Sequence, residues 1–566
     1  MKIRELGWRL EFILFWVFLL VLGLYAILTG RGFRIPTVFF WGGFLSSLFI
    51  FLFQCFNVAR TPRRLIFFEM SILIVVHSFL FWTLTPAHFP FSDSAFTVDS
   101  STRIAEQGWP LAYGSAPSTV KLVSDWPAPS VVAGILRAVG GLEWVSIFGL
   151  LPSILHCLIN LSVFLFSLKV LGLDVHKSAI LGIVAPLSFG IIMTNVLMNV
   201  GMGTPLLFFS IYLVGSNHAL RDTRRSTLTL IVFIALVLTH HLSSFYLLLI
   251  CTFFFAYPRL SARRFAHPES RKTDWLTVSG LLLVYLLVIV FLYWTFIGQS
   301  VLLDIYRGLI GISTLEPAPS GGFFAFSKNT IVLFVDGLCA VLMTLLVLPL
   351  RRENRERGLV NFYWSLFWFS VILVGIVFLS SRIRNAGLEL SRSLGVAWSF
   401  FIMSFLGIRI QRTTKTLGIV IVCVFLLFCC NQLNRYDGTS GMIQPWGEPR
   451  YSNQGYVWGG IPSDEDLEAV LWYPQQEPIV GDQTIYSLAE GWKNTTVYVL
   501  PDVFRGNISA TGSVRWLFLR ELNFKFVFCP YQQEQSFGVS NSTLAAFEGH
   551  NKVFDNGGVG VYDLLS

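Results

Sequence analysis

The segment "FPFSDSAFTVDSSTRIAEQGWP", residues 89–110, sets two carboxylates, Asp93 and Asp99, in a polar stretch that follows three long apolar runs. A carboxylate in such a place has two ordinary uses: it takes a proton from a reacting group, or it caps the start of a helix. Both "SDSAF" and "VDSS" suit the cap as well as the base. A second concentration of chemistry lies far along the chain, in Arg382, Arg384 and Arg392. Their planar forks suit bidentate contact with phosphate oxygens, although the same residues also suit lipid headgroups at a membrane surface. His88, Arg103, His240, His241 and Asp336 are further candidates to line a pocket. Asp336 stands inside the apolar run "IVLFVDGLCAVL", where an ionisable group marks function or a buried pairing, here with an arginine of 381–392. His240 and His241, in "THHLSS", suit a headgroup pocket or a bystander role. Glu69 and His77 lie two helical turns apart and suit a buried polar contact.

These residues must be held by membrane-spanning helices. The 566 residues are 54% hydrophobic and only 13% charged, far from the balance of a soluble domain. Runs long enough to cross a hydrocarbon core recur at 11–30, 36–57, 66–84, 142–168, 178–193, 202–215, 226–239, 242–257, 275–298, 329–350, 359–380, 391–408 and 416–432. About thirteen transmembrane helices are therefore expected. The split between 239 and 242 is the least marked, because "LTHHLSSF" suits a polar kink in one long helix as well as an external turn. The first run lacks a small-residue cleavage site and reads as a retained helix.

Charge sets the orientation. With the N-terminus in the cytoplasm, the cytosolic segments hold 23 of the 41 Lys and Arg, the external loops 10 and the tail 8. An odd number of crossings then puts the C-terminal tail outside. The net charge of +8 is an orientation signal and excludes a nucleic-acid footprint, since the tail from residue 433 carries 15 acids against 8 bases.

Two domains follow: a transmembrane domain over 1–432, with a first large external loop at 85–141, and an extracytoplasmic soluble α/β domain over 433–566. The loop is predicted to be ordered, with "VDSSTRIAEQG" helix-compatible and "WPAPSVVAGILRAVGGLEW" an interfacial amphipathic helix. In the tail, "SDEDLEAVLWY" and "GSVRWLFLREL" are predicted helices, while "PIVGDQ", "TTVYVLP", "FKFVFCP" and "GVGVYDLL" are predicted strands. Three acceptor sequons lie there, at Asn494, Asn507 and Asn541. The eight cysteines form no disulfide framework or metal-knuckle spacing.

"DSAFTVDSSTRIAEQGWP" resembles the first external loop of the GT-C superfamily of membrane glycosyltransferases, in which an Asp is followed by an aromatic and a helix closing on E-x-G. "DWPAPSVVAGILRAVGG" resembles the proline-led segment that follows it in polyprenyl-phosphate sugar transferases. "SRSLGVAWSFFIMSFLGI" is similar to an Arg-led late helix of archaeal members, and "NKVFDNGGVGVYDLL" to the ending of their external domains. The sequence departs from the pattern twice. The oligosaccharyltransferase branch has an acidic motif in its next external loop, where "TNVLMNVGMG" has no acid, and the leading Asp follows the third apolar run here, not the first.

The resemblance implies a GT-C-like fold, akin to dolichyl-phosphate-mannose transferases and oligosaccharyltransferases, and an inverting transfer of a sugar from a polyprenyl-phosphate donor to a glycan, lipid or protein acceptor. Asp93, or failing it Asp99, would be the general base, and Arg382, Arg384 and Arg392 would hold the donor phosphate. No cofactor is implied, and the missing acidic motif speaks against a divalent metal. The implied location is the plasma membrane. Two other classes compete: a transporter or flippase for a lipid-linked saccharide, which would need a charge such as Asp336, and a non-catalytic GT-C-derived scaffold.

Overall fold

The computed structural model describes residues 2–30, 38–56, 61–84, 97, 98, 100–102, 126–142, 144–187, 198–216, 223–264, 280–297 and 424 of the first 432 positions. Beyond them it describes 464–473, 477–482, 484–486, 488–489, 495–505, 507–512, 514–520, 526–527, 537–557 and 559–565. The chain divides into two compact units, one built from 1–80, 153–195 and 199–438, the other from 81–152, 196–198 and 439–566.

Helix forms over each of the first nine apolar runs: α1 (Lys2–Gly30), α2 (Val38–Phe56), α3 (Arg63–Leu84), then, after α4 (Ala128–Gly140), α5 (Trp144–Leu165), α6 (Val175–Val184), α7 (Met198–Gly215), α8 (Thr223–Thr239), α9 (His241–Arg264) and α10 (Gly280–Phe296). The four later runs lie outside the described residues, apart from position 424. Among the described residues, one stretch, Leu150–Val170, is by itself long and apolar enough to cross a membrane. It includes five π-helical residues, Phe166–Val170, at the end of α5.

The first unit is apolar outward as well as inward. On α1, Leu10, Ile13, Val17, Leu20 and Leu24 are exposed, with Leu20 at 68%, while Phe15, Leu19 and Leu22 are buried. On α10, Leu281, Val284, Val288 and Phe291 face outward and Leu286, Val290 and Trp294 inward. A helix that is hydrophobic all round belongs in a large core or a bilayer. Polar groups meanwhile sit inside: Gln54, Glu69, His156, Asn160 and Ser162 are all buried. Close approach of backbones supports this packing, since a Cβ on Gly43 would lie 2.9 Å from the Phe18 carbonyl oxygen and one on Gly182 would lie 3.1 Å from the Phe164 Cβ. At the end where α6 begins, Asp174 caps the helix by accepting from the Lys177 amide at 3.1 Å, and the buried His176 ring meets the Thr61 carbonyl at 3.1 Å.

The second unit contains a five-stranded sheet in the order β2 (Val497–Tyr498), β1 (Ile479–Val480), β3 (Trp516–Arg520), β7 (Val559–Asp563), β6 (Asn551–Asp555). β1 pairs in parallel with β2 and β3, and β7 runs antiparallel to β3 and β6. A separate ribbon joins β4 (Phe526–Val527) to β5 (Phe537–Gly538). Alternate side chains of β3 serve two layers. Leu517 and Leu519 pack with Phe504 of α11 (Pro501–Phe504) and Phe547 of α12 (Asn541–Phe547). Trp516 and Phe518 meet Tyr473, at the end of α13 (Asp464–Trp472), with ring centroids 6.0 and 5.6 Å apart.

The expected helix at "GSVRWLFLREL" is thus corrected to the strand β3. All five of its residues are buried, and a strand covered on both faces shows a continuous apolar run with no period-two alternation. The expected helix over "SDEDLEAVLWY" and strands within "PIVGDQ", "TTVYVLP", "FKFVFCP" and "GVGVYDLL" are present. The β6–β7 turn at "DNGG" uses Gly557 at φ 83, while Asn556 accepts from the Val559 amide and donates to the Glu465 carbonyl at 2.8 Å.

Arg520 closes β3 wholly buried. Its Nε donates to Asp466 Oδ1 at 2.9 Å, its second fork nitrogen lies 2.8 Å from Asp466 Oδ2, and Nη1 reaches Asp482 Oδ2 at 3.4 Å and Thr484 Oγ1 at 3.2 Å. Burial works against its charge, but the two carboxylates outweigh burial and hold the guanidinium above its ordinary value. Replacing Arg520 by Met should strand two buried carboxylates and cost about 3–5 kcal/mol. Thermal unfolding of the full chain in detergent should register this as a lowered transition, and an unchanged transition would refute the central role of the cluster.

Asp563 accepts two bonds from Arg515, at 3.0 and 2.6 Å, and the hydrogen-bonded guanidinium holds its carboxyl below the usual carboxylate range. A carboxylate depressed in the folded state stabilises fully above its unfolded value near ~3.9 and ceases to do so as pH falls through the lower folded value. Wild type should therefore lose stability as the pH falls from about 4, by more than an Asp563→Asn variant does over the same titration. Equal slopes would show that the pair contributes nothing.

Candidate functional site

Of the sequence-predicted site residues, the described chain includes His240 and His241. Asp93, Asp99, Arg382, Arg384, Arg392, His88, Arg103 and Asp336 lie outside the described residues, although the backbone on both sides of Asp99 is described.

Around Asp99 the chain is helical at 97, 98 and 100–102, and Thr97, Val98, Ser100 and Ser101 are buried. The Thr102 hydroxyl donates to the Val98 carbonyl at 2.9 Å, and the Ser101 hydroxyl donates to the Thr97 carbonyl, each one turn back. This turn rests on α4. A Cβ placed on Gly134 would lie 3.3 Å from the Ser101 carbonyl oxygen, so glycine is what lets the two backbones meet. Pro127 precedes α4, Gly141 ends it at φ 62, and Pro129, Ser130, Ala133 and Gly134 form its buried side. On its other side Ile135 and Val139, the latter at 84%, are exposed together with Arg137, and Leu142 just past the helix is exposed as well. Arg137 lies 5.6 Å over the Trp144 ring and donates to the Leu142 carbonyl at 3.1 Å. The amphipathic helix expected here is present, with small and polar residues turned inward and large apolar ones outward.

His240 and His241 sit elsewhere, at a corner between α8 and α9 that neither alternative for "LTHHLSSF" describes in full. His240 ends α8, its amide donating to the Leu236 carbonyl at 3.0 Å, and also begins α9, its carbonyl accepting from the Ser244 amide at 3.2 Å. Its ring Nδ1 accepts from the Ser243 amide at 3.3 Å and lies 2.9 Å from the Ser243 hydroxyl, which is the position of an N-cap. The Ser244 hydroxyl reaches the Leu236 carbonyl at 3.3 Å, across eight residues. On a straight helix those residues are about 12 Å apart along the axis, so the chain turns sharply at one residue.

The corner is buried, and α7 crosses it at Gly203, where a Cβ would stand 2.6 Å from the His240 Cβ and 3.0 Å from the Ser243 Oγ. The two imidazole rings lie 5.0 Å apart. Sequence reasoning identified the histidines but missed Gly203 and Ser243; "GMG" two residues before Pro205 was the available signal. A crevice farther along α7 and α9, between Phe166, Gly215, Leu247, Cys251 and Phe254, is apolar and its lining offers no acid, base or phosphate-binding group.

No protein-family model matches the chain, and no curated protein matches it. Among solved structures, the chain is similar to the Archaeoglobus fulgidus oligosaccharyltransferase tethered through a disulfide bond to an acceptor peptide containing the NVT sequon. The identity is 10% and the TM-score 0.44, over 80% of this chain and 69% of that one. A likeness of this degree fixes neither the fold nor the reaction of this chain.

Gly203→Ala should destabilise the bundle by about 1–3 kcal/mol through overpacking against His240. His240→Leu should cost about 1 kcal/mol as a lost cap, with His240→Asn milder because it keeps an acceptor. Thermal aggregation in detergent orders these variants, and a neutral Gly203→Ala would refute the close crossing.

Proposed function

We propose that the chain is an integral membrane glycosyltransferase of GT-C type that passes a sugar from a polyprenyl-phosphate carrier to a glycan, lipid or protein acceptor outside the cytoplasm. The observation that carries the reading is the seating of the turn at 97, 98 and 100–102 on α4 through Ser101 and Gly134, which supports a packed contact next to position 99 in the chain between apolar helices. Helices with apolar faces turned outward and polar groups held inside support the membrane setting.

In this reading Asp93 takes the proton from the acceptor hydroxyl as the oxygen attacks the anomeric carbon, and the carrier phosphate leaves with the bonding electron pair in a single inverting displacement. Arg382, Arg384 and Arg392 stabilise the charge that grows on that phosphate. Asp99 is the alternate base, and no metal takes part. The C-terminal domain stands on the same outer side and contacts the acceptor or braces the loops.

The test compares surface glycans by mass spectrometry from cells lacking the gene and complemented with wild type or with Asp93→Asn at equal expression. Loss of a general base typically costs about 10²–10⁴-fold in rate, so the sugar restored by wild type should be absent with the variant. Equal restoration moves the base to Asp99. Restoration that depends on Asp336 and on neither loop aspartate replaces transfer by transport.

A further inference from the structure

The described residues include three Asn-x-Ser/Thr triplets, and their geometry separates them. In Asn160-Leu161-Ser162, in the last two turns of α5, both Asn160 and Ser162 are inaccessible. Asn541-Ser542-Thr543 begins α12. There Ser540 is the N-cap, its hydroxyl accepting from the Thr543 amide at 3.2 Å and lying 2.8 Å from the Thr543 hydroxyl, and Thr543 is buried. Residues two apart on a helix point to different sides, so that hydroxyl and the Asn541 amide are kept apart.

Asn507-Ile508-Ser509 differs on each count. Asn507 and Ser509 are exposed, and Asn507 has non-helical backbone angles, φ −87 and ψ 73, ahead of the short 3-10 turn Ile508–Thr511. Its side chain makes no cap bond to that turn. Instead the Ser509 hydroxyl donates to Asn507 Oδ1 at 2.6 Å. The carbonyl oxygen is the atom engaged, which leaves Nδ2, the atom that must form a new bond, outside this contact. The amide-to-hydroxyl relation that defines the triplet is already made in the folded chain.

We infer that Asn507 is an N-glycan acceptor and that Asn541 is not. The donor is a lipid-pyrophosphate-linked glycan presented by a cell's own N-glycosylation enzyme. A bond forms between Nδ2 and the anomeric carbon; the bond from that carbon to the pyrophosphate oxygen breaks, its electron pair leaving with the lipid pyrophosphate, and one Nδ2 proton passes to the transferring enzyme. The glycan would stand on the exposed loop between α11 and β3, away from the packed face of the sheet formed by Leu517 and Leu519. The inference rests on the outward placement of the C-terminal domain in the proposed reading, and on no part of the catalytic assignment.

The full chain, taken from membranes of cells that carry an N-glycosylation pathway, is cleaved after Arg and Lys, which releases residues 506–515 as a peptide with a single triplet. Its mass should include a glycan, lost in Asn507→Gln and also in Ser509→Ala, while the peptide bearing Asn541 is unmodified. Protease added to intact cells reports separately which side the domain occupies. A domain cleaved from outside with an unmodified 506–515 peptide overturns the inference and leaves the topology standing. A domain protected from outside protease overturns the topology and the inference together. A glycan on Asn541 in place of Asn507 overturns the geometric argument.

Discussion

Arg520 is a charge held with no access to water, and the C-terminal unit is arranged around keeping it satisfied. The strand β3 delivers it, α13 brings Asp466, and the segment after β1 brings Asp482 and Thr484. Asp482 is itself fixed, its other oxygen accepting from the amides of Thr484 and Ile485 at 3.0 Å each. Three parts of the chain distant in sequence therefore share one ion cluster, and none can shift without leaving a buried charge unpaired. An apolar side chain of equal volume would fill the space, but it would not specify which helix covers which face of the sheet. The neighbouring contacts of Trp516, which donates to Glu477 at 2.8 Å and underlies Arg515 at 4.6 Å, extend the same face toward the surface.

The first unit solves the opposite problem. Its outward faces are apolar, so burial of hydrocarbon does not distinguish inside from outside as it does in water, and close backbone contact and interior polar groups take over that task. Gly43, Gly182 and Gly203 mark where helices approach until a single methyl group would collide. The corner at His240 shows how tightly this is drawn. One residue closes one helix and opens the next, its ring supplies the acceptor that the new helix needs, and α7 lies so near that only glycine fits. Buried histidines in such a place are accounted for by backbone satisfaction before any ligand is invoked.

What was legible in the sequence follows from these two regimes. The apolar runs of the first unit are long and uniform, and helix stands over each of the nine that fall in the described residues. In "DEDLEAVL", Glu465 and Glu468 are exposed while Ala469 and Val470 are buried, so the helical spacing was legible, but the burial of Asp466 beneath Arg520 was not. "WLFLR" has no wet face, so its pattern carries no period and a strand was read as a helix. The helix α4 was legible from the proline that leads it and the glycines that close it, but the meeting of Ser101 with Gly134 was not, since nothing local ties two residues so far apart in sequence. The carboxylates and arginines of the candidate site were legible as residue types, and their mutual placement was not.

The turn that meets Gly134 and the helix α4 combine both regimes. A turn of helix whose polar side chains are buried must satisfy them locally. Here Ser101 and Thr102 turn their hydroxyls back on the preceding turn, and α4 offers a side of small residues for the turn to rest on. Ile135 and Val139 of α4, and Leu142 just beyond it, are left facing outward beside Arg137 and Trp144. That is the distribution expected of a helix whose exposed face meets a lipid boundary, with an aromatic and a cation at the level of the headgroups. The turn is thereby held by its own hydroxyls and by the small side of α4, and the large residues of that helix are left to face outward.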